Sequence, residues 1–210
     1  MTRTRLPRWL KLAYTAFMAV LVPVYWWHYG WANFLFLCDV ALFVTLAGLW
    51  RESCLLLSMA AVGIALPQLL WCLDFAAGLA GAQVTGLTAY MFDEAKPLYL
   101  RGLSLFHLWM PWLLLFALSR LGYDRRGFWA WSLVSAMVCV LSYIFVDPPG
   151  PEVADIRTSR NVNFVYGLDP AEPQSLLPPP VYLVVWICAL QLLFYLPSHA
   201  LLKRMFRHPA

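Results

Sequence analysis

The stretch WANFLFLCDVALFVTLAGLWRESCLLLSMAAVGIALPQLLWCLD, residues 31–74, holds two apolar runs, 32–50 and 53–74, parted by the charged pair Arg51-Glu52. A hydrocarbon layer about 30 Å thick takes roughly 20 apolar residues per helical crossing. Both runs have about that length, so the segment reads as two membrane-spanning helices joined by a tight charged turn. The same reading taken outward finds four more runs, 12–29, 102–121, 128–146 and 181–202. The expected fold is all-α: one polytopic transmembrane domain, 1–210, with six transmembrane helices.

Composition agrees with a membrane protein. Of 210 residues, 62% are apolar and only 12% charged, against about 25% charged in ordinary soluble domains. That excludes a soluble globular chain. All five cysteines (Cys38, Cys54, Cys72, Cys139, Cys188) lie in or beside apolar runs, which indicates no disulfide framework. The first run follows Arg3, Arg5, Arg8 and Lys11, is long, and ends in Tyr25-Trp26-Trp27 without a small-residue cleavage site. It reads as a retained first span rather than a cleaved signal peptide.

Charge asymmetry sets the expected orientation. With the N-terminus inside and six spans, eleven of the fifteen Lys and Arg fall on inner segments, and Lys96, Arg101, Arg157 and Arg160 remain outside. Eight of the eleven acids fall outside, Glu52 and Asp124 inside, and Asp39 within a span. The positive-inside rule then places both termini in the cytoplasm of a cell (inner) membrane protein. The net charge of +4 follows from that insertion topology, and nucleic-acid binding is not implied.

Two long outer loops are expected, about 75–101 and 147–180. Residues 75–92 are apolar but carry three glycines, and a crossing there would reverse the charge asymmetry. They read as an interfacial or re-entrant segment, with Asp74 capping the outer end of span three. The second loop holds eight of the fifteen prolines and is not helical throughout. Within it, residues 161–167 (NVNFVYG) alternate polar and apolar like a short strand.

An ionisable group inside a span costs roughly 2.5–3.5 kcal/mol on insertion scales, so it needs a partner, a cavity or a use. Asp39 lies roughly 10 Å below the outer face and His107 at about 8 Å, so the two reach one level. Gln68, beside Pro67, shares that outer half with Asn33, Asp74, Ser104 and Tyr143. With Asn161 and Asn163 of the loop they form the candidate substrate-binding set. On a straight helix Asn33 and Asp39 diverge by about 120°. The Trp and Tyr clusters at 25–31 and 109–112 read as interfacial belts.

Two mechanisms suit an Asp and a His at one depth. In the first, His107 is a general base oriented by Asp39 and serving Cys38 as nucleophile, with Gln68 and Ser104 stabilising an oxyanion. In the second, Asp39 and His107 relay protons in a small carrier. A structural Asp–His pair is the plain alternative, as is a noncatalytic partner that assembles another membrane complex. His28, His107, His199 and His208 stand in four segments without metal-ligand spacing, so neither metal nor cofactor is implied.

The segments NFLFLCDVAL (33–42), LPQLLWCLDF (66–75), YMFDEAKPLYLRGLSLFHLWMP (90–111), LGYDRR (121–126) and NVNFVYG (161–167) resemble a family of bacterial integral membrane proteins of unassigned function. More remotely, six spans with a small nucleophile candidate early and a His near a Pro on a middle span look like the androgen-induced and androgen-dependent intramembrane hydrolases of fatty-acid esters. Those use Thr, and a related acyltransferase group uses Cys. The likeness implies His107 as the matching His and Cys38 in the nucleophile's place. The leading expectation is an outward-facing polar pocket that binds or processes a lipid or other amphiphile. The expected partners are membrane lipids, with a membrane-protein partner or a second copy of the chain as further candidates.

Overall fold

The structure is a computed structural model and describes residues 6–82, 84–150, 159–169 and 171–206. Arg3, Arg5, Glu152, Asp155, Arg157, Arg207 and His208 of the sequence reading lie outside the described residues. Those described are helical or irregular, with no strand. The helices are α1 (Arg8–Tyr29), α2 (Leu37–Arg51), α3 (Cys54–Leu79), α4 (Leu98–Ser104), α5 (Phe106–Leu121), α6 (Arg126–Phe145), α7 (Pro179–Leu190) and α8 (Leu196–Met205). Five stretches among them, Arg8–Tyr29, Cys54–Leu79, Leu98–Leu121, Arg126–Phe145 and Pro179–Met205, are long and apolar enough to cross a membrane.

Local chemistry sets several boundaries. The Ser53 hydroxyl accepts the Leu56 N–H at 3.4 Å and starts α3, and prolines 179 and 180 open α7, where a missing N–H costs nothing. Leu105 separates α4 from α5. A π turn, Gln191–Tyr195, joins α7 to α8 just before Pro197, whose ring disfavours a regular α ladder upstream.

Contacts sort the helix ends into two groups. At one end Lys11 pairs with Glu52 at 2.6 Å, the Asp124 N–H donates to Ser58 Oγ at 2.9 Å, and Tyr123 meets His199 at 2.6 Å. At the other, Tyr25 meets Ser104 at 3.0 Å, Tyr99 meets His28 at 2.8 Å, and the Ser159 N–H donates to the Tyr29 carbonyl at 3.2 Å. The short turns after α2 and α5 sit at the first end, which is rich in basic residues. The loops before α4 and after α6 sit at the second.

Helix α3 is central, packed on α2, α5 and α6 and on the π turn and α8. Small residues permit the closest approaches, as at other helix interfaces in membranes. A Cβ on Gly63 would fall inside the Trp131 indole, and one on Gly127 would lie 2.7 Å from Ser58 Cβ. The outward surface is apolar: Trp129 is 73% exposed, Leu73 59% and Leu193 65%.

Four expectations are corrected. The run 32–50 is not one helix: residues Trp31–Leu35 form a 3₁₀ turn, Phe36 is extended (ψ 133°), and only then does α2 begin. Helix α3 continues to Leu79, so Asp74 sits within it and not at its cap. Residues 161–167 are turns, because Asn161 (φ 45°) and Asn163 (φ 60°) are left-handed, a conformation Asn tolerates and a strand excludes. The belt at 109–112 also fails at Trp109, whose ring packs edge-on against Phe17 (5.0 Å) and Tyr14 (5.9 Å), between α1 and α5.

Gly63→Ala is expected to destabilise the fold by about 1–3 kcal/mol, since the buried indole has no room to yield. Gly102→Ala, which meets open space, should be neutral or gain about 0.5–1 kcal/mol from helix propensity. Thermal unfolding in detergent compares the two.

Candidate functional site

The break at Phe36 changes what the polar residues at the end opposite the basic one do. It turns the 3₁₀ segment back over the first turn of α2, so Asn33 reaches the residue from which a straight helix would separate it. Asn33 Nδ2 donates to Asp39 Oδ2 at 3.1 Å, and its Oδ1 accepts from Ser159 Oγ at 3.3 Å. Asp39 is 3% exposed, and its Oδ1 has no partner among the described residues.

Asn163 ties the second loop to the same place. Its Oδ1 accepts the Leu37 N–H, the first of α2, at 2.9 Å. Its Nδ2 donates to the Leu35 carbonyl at 2.8 Å and to Ser142 Oγ at 3.3 Å, and its own carbonyl accepts from Trp186 Nε1 at 2.7 Å. One side chain thus caps α2 from a loop 126 residues away and satisfies both backbone groups exposed by the break. Asn161 folds the loop on itself: Nδ2 donates to the Gly167 carbonyl at 2.8 Å, and Oδ1 accepts the Tyr166 N–H at 3.1 Å. The Tyr143 ring stacks on Tyr166 (5.1 Å), whose hydroxyl donates to the Tyr143 carbonyl at 2.6 Å. Burial pushes the Tyr166 phenol above its ordinary value, which keeps it a donor.

His107 is held elsewhere. Its Nδ1 lies 2.7 Å from the Ser104 carbonyl, which only accepts, so Nδ1 carries the proton. The ring stacks on Trp71 (4.7 Å) and Phe106 (4.0 Å). No hydrogen bond or ion pair joins His107 to Asp39. The Tyr25 hydroxyl donates to Ser104 Oγ, which donates to the Leu100 carbonyl at 3.3 Å. Pro111 cannot donate to the His107 carbonyl, and the Cys72 thiol takes that acceptor at 3.6 Å. Cys38 stands partly buried beside Asp39, and no hydrogen bond connects it to His107.

The remaining candidates are also engaged. Gln68, 1% exposed, donates from Nε2 to Met110 Sδ at 3.9 Å, and its Oε1 is unpartnered. Asp74 accepts the N–H groups of Thr85 (2.6 Å), Gly86 (3.3 Å) and Thr88 (2.8 Å), plus the Thr88 hydroxyl (2.8 Å). That carboxylate folds residues 85–88 onto α3. It borders a cavity of about 20 Å³, about one water in size.

A larger cavity, about 560 Å³, opens at the opposite, basic end, lined by Tyr123, Arg125, His199, Lys203 and Arg204. Neither cavity is lined by Cys38, Asp39 or His107. Reading charges as insertion signals hid this site; the only trace in the sequence is that LGYDRR and the Lys203-Arg204 pair fall on one side. Among the described residues no three His, Cys, Asp or Glu gather as a metal-binding group. No protein-family model, curated protein or solved structure matches the chain.

Asn163→Ala is expected to cost about 2–4 kcal/mol, combining the loss of a helix cap with two buried backbone groups left unpaired. Limited proteolysis should then cut the 147–180 loop faster than in the parent. Asn163→Asp, which keeps the acceptor for Leu37, should fall between them.

Proposed function

We propose that the chain is a six-span integral membrane protein of the cell (inner) membrane, with cytoplasmic termini, that binds a lipid or other amphiphile at its basic end. The observation that carries the reading is the cavity of about 560 Å³, within the roughly 300–1,000 Å³ of small-molecule sites. It opens beside helices whose outward faces are apolar, so a molecule with an acyl tail reaches it from the bilayer. The sixth span is α2: its fifteen α residues rise about 22 Å, and the 3₁₀ turn Trp31–Leu35 closes its far end. Among the described residues, eight of the fifteen cations (Arg8, Lys11, Arg51, Arg120, Arg125, Arg126, Lys203 and Arg204) stand on the segments at that end and support its cytoplasmic placement.

In this reading Asp39, Asn33, Asn161 and Asn163 fasten the outer loop, and Asp74 fastens the other. A photoactivatable phospholipid analogue, crosslinked in native membranes, should mark peptides 121–128 and 196–206 above the other lipid-facing helices. Uniform labelling of all lipid-facing surfaces would overturn the proposal.

One observation favours a second reading, the intramembrane hydrolase. With Nδ1–H fixed on the Ser104 carbonyl, His107 Nε2 is the bare nitrogen and keeps the free lone pair that a general base uses. Labelling by a serine/cysteine hydrolase probe separates the two. We expect no labelling that depends on Cys38 or His107; a signal abolished by both Cys38→Ala and His107→Ala would establish the hydrolase instead.

A further inference from the structure

The basic end carries more positive charge than its acids can balance, and the surplus converges on a concavity. Of the two acids expected there, Glu52 is taken by Lys11 at 2.6 Å. Asp124 is taken by Arg126 through both carboxylate oxygens, at 2.7 Å at the closest, and that guanidinium holds the Asp124 carboxyl below its ordinary value. Arg125, Lys203 and Arg204 make no ion pair among the described residues, and all three line the cavity. Insertion topology accounts for cations at this end. It does not account for their acids being engaged elsewhere, nor for their meeting around one cavity.

The neutral groups of the lining add to the same character. Tyr123 is 5% exposed, and burial pushes its phenol above the ordinary value, so it remains an O–H. Its oxygen lies 2.6 Å from His199 Nδ1; with that hydroxyl donating, the neutral imidazole carries its proton on Nε2 and is itself a donor. A guanidinium pair, an ammonium and an imidazole N–H offer donors and cations, with no carboxylate among the described lining residues. That set suits the tetrahedral, multiply accepting oxygens of a phosphate better than any neutral head group.

From this donor set we infer that the cavity binds a phosphate ester, either the head group of an anionic phospholipid or a soluble organophosphate. The inference rests on the cavity being the ligand site proposed above and names the chemistry it recognises. Basic pockets between membrane helices on the cytoplasmic side hold anionic head groups in this way.

Native mass spectrometry of the full chain in detergent tests it, with dioleoyl phosphatidylglycerol, dioleoyl phosphatidylcholine and glycerol 3-phosphate as separate probes. Phosphatidylglycerol is expected to bind about a hundredfold tighter than phosphatidylcholine, and Lys203→Gln with Arg204→Gln should cut the difference to about fivefold, at about fivefold per removed charge. Arg125→Gln alone should remove about fivefold on the same basis. All three side chains are exposed, so the variants keep the fold; an unchanged melting temperature verifies that. Charge-dependent binding of glycerol 3-phosphate without that of phosphatidylglycerol would assign the site to a soluble organophosphate. Equal binding of both lipids, which share the phosphodiester, together with indifference to the substitutions would overturn recognition of the phosphate by these cations while leaving an amphiphile site. Absence of binding by all three probes would overturn the phosphate inference, and the photocrosslinking result then decides separately whether the amphiphile site stands.

Discussion

Inside a bilayer no water is at hand to satisfy backbone N–H and C=O groups, so each interruption of a helix must bring its own partners. Three interruptions among the described residues show such a chemical answer. At Phe36 the answer is Asn163, which takes the Leu37 N–H and the Leu35 carbonyl together. At Pro111 it is the Cys72 thiol on the His107 carbonyl. Ahead of Pro197 it is a π turn, in which the ladder widens and continues. The first interruption has the widest reach, because its partner comes from the loop after α6 and makes the start of α2 depend on tertiary contact.

That dependence explains why the polar residues at the end opposite the basic one are engaged in structure. A short α2 needs an N-terminal cap, the cap needs a loop held in left-handed turns at Asn161 and Asn163, and the loop needs an anchor. Asn33 supplies it by bridging Ser159 to Asp39. The carboxylate of Asp39 therefore sits in a chain of fastening contacts. His107 belongs to a separate stack of aromatic rings and turns its proton toward the backbone. Residue type and depth placed the two at one level; their partners part them.

The apolar runs and their charged brackets were legible because hydrocarbon thickness constrains length directly, and the helix limits fall within a few residues of those read from residues 12–29, 53–74, 128–146 and 181–202. The break at Phe36 was not legible. NFLFLCDVAL holds no Pro or Gly to mark a break, and the partner that makes the break affordable lies 126 residues on. The alternation in NVNFVYG was real but had another cause: Val162 and Val165 are buried, and Asn161 and Asn163 bond the backbone from left-handed turns. Asp74 was legible as a polar residue near a membrane surface. Its role was not, because the loop amides it gathers become neighbours only when residues 84–88 fold back.

The basic cavity was hidden for a different reason. Lys and Arg at span ends satisfy the demands of insertion wherever they point, so their number carries no information about binding. Information enters with the pairing of the acids. Glu52 and Asp124 each have a cation of their own, and that pairing removes the nearest source of compensation from Arg125, Lys203 and Arg204. Three cations drawn around one concavity repel one another, and at the membrane surface, where screening falls off over about 8–10 Å, their arrangement is stabilised by whatever anion enters. A surplus that served insertion alone would gain by spreading outward into water, and the lining of the cavity by all three residues points to an anion as its counterpart.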